Sequence, residues 1–480
     1  MVLEETLTDY IFAKQREISL LAKNNLKEND KAFNHRFEYD RIKNRVDNYL
    51  ESSNQNRFII MPGLRGVGKT TILLQIYEYL ISQKNIPNSN ILYLDINELN
   101  NFFKGDIYSC IETFLKDMHQ TTLVDLDKKI FLLIDEAHFD KSWALAGKLI
   151  YDKSKNIFMI FTGSSALDLE LNVDTVRRVV KEPIFPCNFP EYLLLKYDLN
   201  SPKISEELKN LILKGTDLEI TINKENEIKK SLFDLNNDPN IELEKFLFSY
   251  GFPFALDLED YEIHKKTVEI TNRIVEKDIP SIKNFNTSTN TVISNIITYL
   301  ALQKPGATSN IKLSQILGVS PKSVNDILNV LEKTQLIFPI TPYGTGSKIV
   351  KKPWQYFFLS PSIKASINYE IGRYDIANKK CLGALAETLV ISSLYKLKLI
   401  SNNSLGLFYD ANKGGVDFLI KNLDKIIPIE VGIGKKTKSQ LTKAINNYDS
   451  DYGILISNRK SNISFEDDIL HIPLLTFSYL

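Results

Sequence analysis

The sequence predicts an α/β fold built on a parallel sheet, followed by helical and smaller α/β regions. Two observations predict the sheet and a third predicts the rest. Four short apolar runs, Phe58-Ile-Ile-Met61, Ile91-Leu-Tyr-Leu94, Ile130-Phe-Leu-Leu-Ile134 and Ile157-Phe-Met-Ile-Phe161, have the length of buried strands. They alternate with helical spacing, as in Ile72, Leu73, Ile76, Tyr77 and Leu80, and strands of this kind form parallel sheets covered on both faces. The chain has 480 residues, which at about 150 residues per domain is too long for one.

Taken in order, residues 1–50 form a helical segment, with Ile18, Leu20, Leu21, then Phe37, Ile42, Val46 and Leu50 at helical spacing. Residues 51–195 carry the parallel sheet. Residues 196–285 include the polar stretch 201–245, rich in Lys, Glu, Asn and Asp, which reads as a helical lid or a linker. In 286–370, Lys312-Leu-Ser-Gln-Ile-Leu-Gly-Val-Ser-Pro321 reads as helix, glycine turn and a second helix with Val324, Ile327, Leu328 and Leu331 on one face. A β-hairpin turning at Tyr343-Gly-Thr-Gly346 follows, and together these predict a winged helix. Residues 371–480 read as a helix and alternating strands at 405–409, 416–420, 426–431 and 453–456, a small α/β domain.

Bulk composition narrows the chemistry. Lys plus Arg and Asp plus Glu both number 59, so no global basic field advertises nucleic acid, and any such contact falls to a local patch. Cys110, Cys187 and Cys381 are scattered without metal or redox spacing, which fits reduced thiols. The five histidines show no metal-ligand spacing. The N-terminus lacks a secretory pattern and no apolar run reaches about 20 residues, so the expected location is cytoplasmic, without a membrane.

The sharpest motif is Gly63-Leu-Arg-Gly-Val-Gly-Lys-Thr70, with Thr71 following, directly after the first strand. Its spacing is that of a phosphate loop: Gly63, Gly66 and Gly68 let backbone N–H groups converge on phosphate oxygens, with Leu64, Arg65 and Val67 supplying the intervening amides. Lys69 is placed to reach the β- and γ-phosphates of ATP, and Thr70 to ligate Mg²⁺. The Ile130 strand ends in Asp135 and Glu136; Asp135 is the metal ligand of this reading and Glu136 the general base for water. Asp135-Glu-Ala-His138 also spells a helicase-type box, but no other helicase motif accompanies it. The Ile157 strand ends in Thr162-Gly-Ser-Ser-Ala166, and Thr162, with Ser164 as second choice, is a candidate γ-phosphate or water sensor; a helix-capping turn at Ser164 or Ser165 is the plain alternative. Arg177 or Arg178, with Arg178 preferred, is a candidate to reach the site of a neighbouring copy in a homo-oligomer; a surface pair is the alternative.

On these motifs the sequence resembles prokaryotic predicted ATPases of the AAA+ superfamily that join a P-loop ATPase, a winged helix and a C-terminal restriction-endonuclease-like domain. The resemblance continues through Phe185-Pro-Cys-Asn-Phe-Pro-Glu-Tyr192, Tyr250-Gly-Phe-Pro253, Val275-Glu-Lys-Asp-Ile-Pro280 and 313–336, and covers most of the chain. It implies ATP binding at Lys69 and Thr70, metal at Asp135 and catalysis by Glu136. It also implies a nuclease-like acidic set in Glu387, Asp417 and Glu430. There the position two residues after Glu430, where such folds carry lysine, holds Gly432; Lys435 or Lys436 is the only substitute nearby, so a domain kept for binding or structure is expected. DNA contact is expected mainly through the wing lysines Lys348, Lys351 and Lys352, with Lys435, Lys436, Lys438 and Lys443 as a second cluster. Three functions remain open: a DNA-associated ATPase, a slow nucleotide switch acting on a protein partner, and an ATP-gated nuclease.

Overall fold

A computed structural model describes the chain except residues 1, 29–30, 53–55, 104, 165–172, 284–286, 304–305, 374, 376–377, 401–404 and 434–437. It divides into two compact units, 1–185 and 186–480.

The first unit opens with α1 (Val2–Asn25) and α2 (Phe37–Ser52). Then come β1 (Phe58–Pro62), α3 (Lys69–Ser82), β2 (Ile91–Asp95), α4 (Ile96–Phe102), α5 (Ile107–His119), β3 (Ile130–Asp135), α6 (Trp143–Lys153), β4 (Ile157–Gly163) and β5 (Val179–Lys181). All five strands are parallel, in the order β2-β3-β4-β1-β5. Every residue of β1, β3 and β4 is buried, which is why their sequences are apolar without alternation. The short fifth strand escaped prediction because three residues, only partly buried, carry no periodicity. The N-terminal helices do not stand apart: Leu7, Tyr10 and Ile11 join the core against the sheet, and Gln15 donates to the Ile91 carbonyl at 2.6 Å.

The acidic strand β3 does not border the loop-bearing strand β1; β4 lies between them. Register pairs Asp95 with Asp135, Ile134 with Phe161 and Met61 with Thr162, so Asp95, Asp135 and Thr162 line one edge of the sheet, the edge at which β1 delivers the glycine-rich loop.

The second unit begins with helices α7 (Phe189–Tyr197), α8 (Ser205–Lys214), α9 (Leu218–Ser231), α10 (Pro239–Phe248) and α11 (Asp260–Arg273). The polar 201–245 stretch is thus largely helical. A π-helical turn, Ile274–Asp278, leads into α12 (Ile279–Ile282), where Pro280 sits in the first turn and its missing N–H costs nothing. Next come α13 (Thr287–Leu302), β6 (Ala307–Thr308), α14 (Asn310–Leu317) and α15 (Pro321–Lys333). Gly318 ends α14 with φ 66°, and the Ser320 side chain caps α15 by accepting from the Ser323 N–H at 3.0 Å. The apolar face of α15 is buried as its spacing requires.

β7 (Ile337–Pro342) and β8 (Trp354–Phe358) pair antiparallel, but the expected simple turn at 343–346 is replaced by a longer connection containing α16 (Gly346–Lys351). After α17 (Pro361–Glu370) the chain runs α18 (Lys379–Ile400), β9 (Leu405–Tyr409), β10 (Phe418–Asn422), β11 (Lys425–Gly432), α19 (Ser439–Tyr448), β12 (Gly453–Ser457), β13 (Ser464–Glu466), β14 (Ile469–Pro473) and α20 (Leu474–Phe477). Because β9 pairs parallel with β7, a single nine-stranded sheet, β13-β14-β12-β11-β10-β9-β7-β8-β6, spans both regions.

Candidate functional site

The glycine-rich loop connects β1 to α3. Gly66 and Gly68 have φ of 81° and 90°, which a side chain would oppose, and a Cβ at Gly63 would lie 2.4 Å from the Ile184 carbonyl oxygen. Lys69 is buried and its Nζ donates to the carbonyls of Gly63 and Leu64, each at 3.0 Å. The lysine therefore spans its own loop. Thr70, on the first turn of α3, donates its hydroxyl to Asp135 Oδ2 at 2.7 Å. Leu64 and Val67 are buried, Arg65 and Thr71 half-buried.

Asp135 is 3% exposed, a carboxylate inside the protein. Its burial, then the charge of Glu136, push its pKa up; hydrogen bonds from Thr162 and Thr70 and the Lys69 charge oppose this. Thr162 Oγ1 donates to Asp135 Oδ1 and accepts the Glu136 N–H at 3.0 Å, so one hydroxyl fixes both acids. Tyr93 adds a long hydroxyl contact to Asp135 Oδ2 at 3.4 Å, and burial pushes its own pKa up. This tyrosine was not anticipated; the signal was a hydroxyl in an otherwise aliphatic strand.

Glu136 adopts the left-handed conformation, φ 52° and ψ 41°, which costs a non-glycine residue about 1–2 kcal/mol. The turn carries its side chain off the strand direction. Glu136 Oε2 is buried and lies 3.3 Å from His138 Nδ1, which in turn faces the Ser164 N–H at 3.3 Å. Nδ1 can serve the carboxylate only when protonated and the N–H only when not, so His138 is poised between two partners. Ser164 thus meets the site through its backbone, while Ser165 and Ala166 lie outside the described residues.

Arg178 lies elsewhere. It directly precedes β5, whose Val179 pairs with Phe58 at the start of β1, so it occupies the edge of the sheet opposite the loop. At about 3.3 Å per residue, the length of β1 separates it from the site of its own chain. There it pairs with Asp152 at 2.5 Å, while Arg177 is exposed.

In the second unit Asp417 and Glu430 do come together, in a particular way. The Asp417 N–H donates to Glu430 Oε2 at 3.2 Å, and the Val431 N–H donates to Asp417 Oδ2 at 2.8 Å. Each carboxylate thus accepts from the other strand's backbone. Among the described residues no three His, Cys, Asp or Glu side chains are placed to hold a metal ion, so Glu387 does not complete a set with them. Lys435 and Lys436 lie outside the described residues. Of the wing lysines, Lys351 is exposed and Lys352 donates to the Ala411 carbonyl at 3.2 Å, while the side chain of Lys348 is outside the described set. Lys438 pairs with Asp467 at 3.3 Å. Among the described residues no helix is long and apolar enough to cross a membrane.

Comparison with known proteins places this geometry. Residues 55–193 match a family model described as an AAA domain. Residues 241–367 and 382–477 match two domains of unknown function, DUF8612 and DUF4143. The uncharacterized protein MJ1637 of Methanocaldococcus jannaschii is 33% identical over 442 residues, covering 91% of this chain and 88% of that protein. A second uncharacterized protein of the same organism, MJ1544, is 22% identical over 402 residues, covering 81% and 78%. Among solved structures, the Walker-type ATPase PABY2304 of Pyrococcus abyssi aligns at 12% identity and TM-score 0.38, over 72% of this chain and 97% of that one. The chain belongs to one family with MJ1637, and its residues 55–193 match an AAA domain.

Proposed function

We propose that the chain binds ATP with Mg²⁺ at residues 63–71 and hydrolyses it, and that hydrolysis is coupled to a conformational change. The observation that carries this is the 2.7 Å contact between Thr70 and Asp135, which brings a hydroxyl and a buried carboxylate from distant elements to one point at the start of α3. These two hard oxygen donors suit Mg²⁺. Thr70 and Asp135 would hold the ion, which when bound supplies positive charge at the phosphate oxygens.

The remaining work falls to the chain. The loop amides and the N-terminal end of α3 bind phosphate oxygens. Lys69 exchanges two backbone carbonyls for phosphate, so its charge is already positioned before binding. Glu136 takes the proton of the attacking water: among the described residues its Oε2 lies nearest the His138 ring, at 3.3 Å. Thr162 fixes the angle between Asp135 and Glu136. Arg178, at the opposite edge, acts only on a neighbouring copy.

The finer reading couples turnover to duplex DNA. It is supported by the helix–turn–helix of α14 and α15 with the β7–β8 pair, a winged-helix arrangement, and by exposed Lys322 and Lys351. Asp326 on α15 is neutralised by Lys283 at 2.8 Å. The order α18-β9-β10-β11-α19-β12 supports a restriction-endonuclease-like fold, but Gly432 and the backbone-bonded Asp417 and Glu430 favour a domain that does not cut. Steady-state ATP hydrolysis with and without duplex DNA, with Glu136→Gln as control, tests the proposal. Turnover that rises with DNA and is lost in the variant supports it. Tight ATP binding without turnover supports a slow switch instead, and no binding overturns it.

A further inference from the structure

The segment Phe185-Pro-Cys-Asn-Phe-Pro-Glu-Tyr192 takes no part in this chemistry, yet its residues are held one after another. Phe185 closes the first unit and Pro186 opens the second. Within the first unit, buried Arg36 donates from Nη1 to the Val67 carbonyl at 2.5 Å and from Nη2 to the Phe185 carbonyl at 3.0 Å. Glu38 at 3.3 Å offsets its charge. The residues before Phe185 run along β1, with the N–H groups of Glu182 and Ile184 on the carbonyls of Ile60 and Pro62, each at 2.9 Å. Arg41 and Arg45 of α2 hold the Glu182 carboxylate at 3.1 and 3.0 Å. Within the second unit, Lys396 on α18 donates to the Pro186 carbonyl at 2.9 Å, and the Cys187 N–H donates to the Gly251 carbonyl at 2.9 Å. Asn188 and Glu191 then form a capping box that starts α7.

Two pieces of covalent geometry give these contacts meaning. The Val67 carbonyl and the Gly68 N–H belong to one planar trans peptide and point in opposite directions. Holding the carbonyl on Arg36 therefore aims the Gly68 N–H away from Arg36. That peptide turns about ψ of Val67 and φ of Gly68, and Gly68, with φ 90°, is free enough for it to turn if it were not held. The Phe185 carbonyl likewise belongs to a planar peptide, so holding it on Arg36 fixes the plane in which the chain leaves the first unit. A guanidinium fork spans two carbonyls at fixed geometry, which a lysine ammonium on a flexible stem does not reproduce.

We infer that Arg36 is a positioning residue of the ATP site. It orients the Val67–Gly68 peptide for phosphate and ties that peptide to the chain where it leaves the ATPase unit, so that nucleotide occupancy and the course of residues 182–187 are set together. The inference rests on the ATP reading above.

The test uses the full-length protein and the variants Arg36→Met, Arg36→Lys, Arg45→Met and Lys69→Ala. ATP turnover is measured against ATP–Mg²⁺ concentration, and hydrogen exchange in peptides covering 182–189 with and without ADP–Mg²⁺. Both Arg36 variants are expected to raise KM about tenfold with kcat little changed, the pattern of lost binding geometry. Both are expected to lose the slowing of exchange that ADP produces in the parent. Arg45→Met, which releases Glu182 but not Val67, keeps both properties. Wild-type KM and exchange response in the Arg36 variants overturn the inference, as does an Arg45→Met variant that behaves like Arg36→Met. Should Arg36→Met fail to fold, Arg36→Lys decides by the same criteria. A parent protein that binds ATP no better than Lys69→Ala is a failure of the ATP reading itself, and the inference falls with it.

Discussion

The chain presents paired acids twice, and the two pairs are built oppositely. Asp135 and Glu136 end a buried strand, and the Asp135 carboxylate accepts the hydroxyls of Thr70 and Thr162 and the Glu136 N–H. Asp417 and Glu430 flank adjacent strands and accept N–H groups from each other's backbone. A hydroxyl can rotate and offer its lone pairs to a metal alongside the carboxylate. A backbone N–H is fixed by the chain and occupies one lone pair of the carboxylate it faces. The two acid pairs therefore differ in how freely their neighbouring donors can reorient.

The comparison is broken most directly by Glu136→Gln. Turnover should fall about 10²–10⁴-fold, the usual worth of a general base, while ATP affinity, read by titration, is retained. Asp417→Ala should leave turnover unchanged in the same assay; a matching loss would make the two pairs one functional system. Thr162→Val removes the hydroxyl that joins Asp135 and Glu136. At about 1.5–3 kcal/mol for a hydrogen bond to a charged group, turnover should fall roughly 10–100-fold without loss of folding.

Smaller effects concern stability. Asp417→Ala leaves the Val431 N–H without its acceptor, so denaturant unfolding should show a loss of about 1–3 kcal/mol. Asp135→Asn should act in the other direction. Because the Asp135 pKa is raised in the folded protein, folding favours its protonated form, and its contribution to stability falls as pH rises from the ordinary carboxylate range through the raised value. Without nucleotide, the variant should therefore melt higher than the parent near neutral pH and the gap should narrow in acid. Melting curves across pH check this, and a constant gap would assign the effect to something other than ionisation.

Much of the first unit was legible. Four of the five strands of its parallel sheet are continuous apolar runs, and the spacing of Gly63, Gly66, Gly68, Lys69 and Thr70 is that of the loop observed. The wing was less legible because α16 occupies a stretch whose glycines read as a turn. The lysines proposed for DNA illustrate the same limit: Lys352 is spent on the Ala411 carbonyl, a partner 59 residues away that no local pattern announces.

By itself, then, the sequence determined which residues are competent for phosphate and metal, because backbone freedom at glycine and the charge of Lys69 and Asp135 are local properties. Tertiary structure alone decided who stands next to whom. It inserted β4 between β1 and β3, so that Thr162 rather than the loop became the neighbour of both acids. It brought Arg36, 31 residues before Val67, onto the loop from a segment with no motif of its own. It also brought Asp417 and Glu430 together, with each carboxylate accepting a backbone N–H. Each of these depends on strand order, register or packing across long stretches of chain, and long-range pairing leaves no periodic trace in the residues that make it.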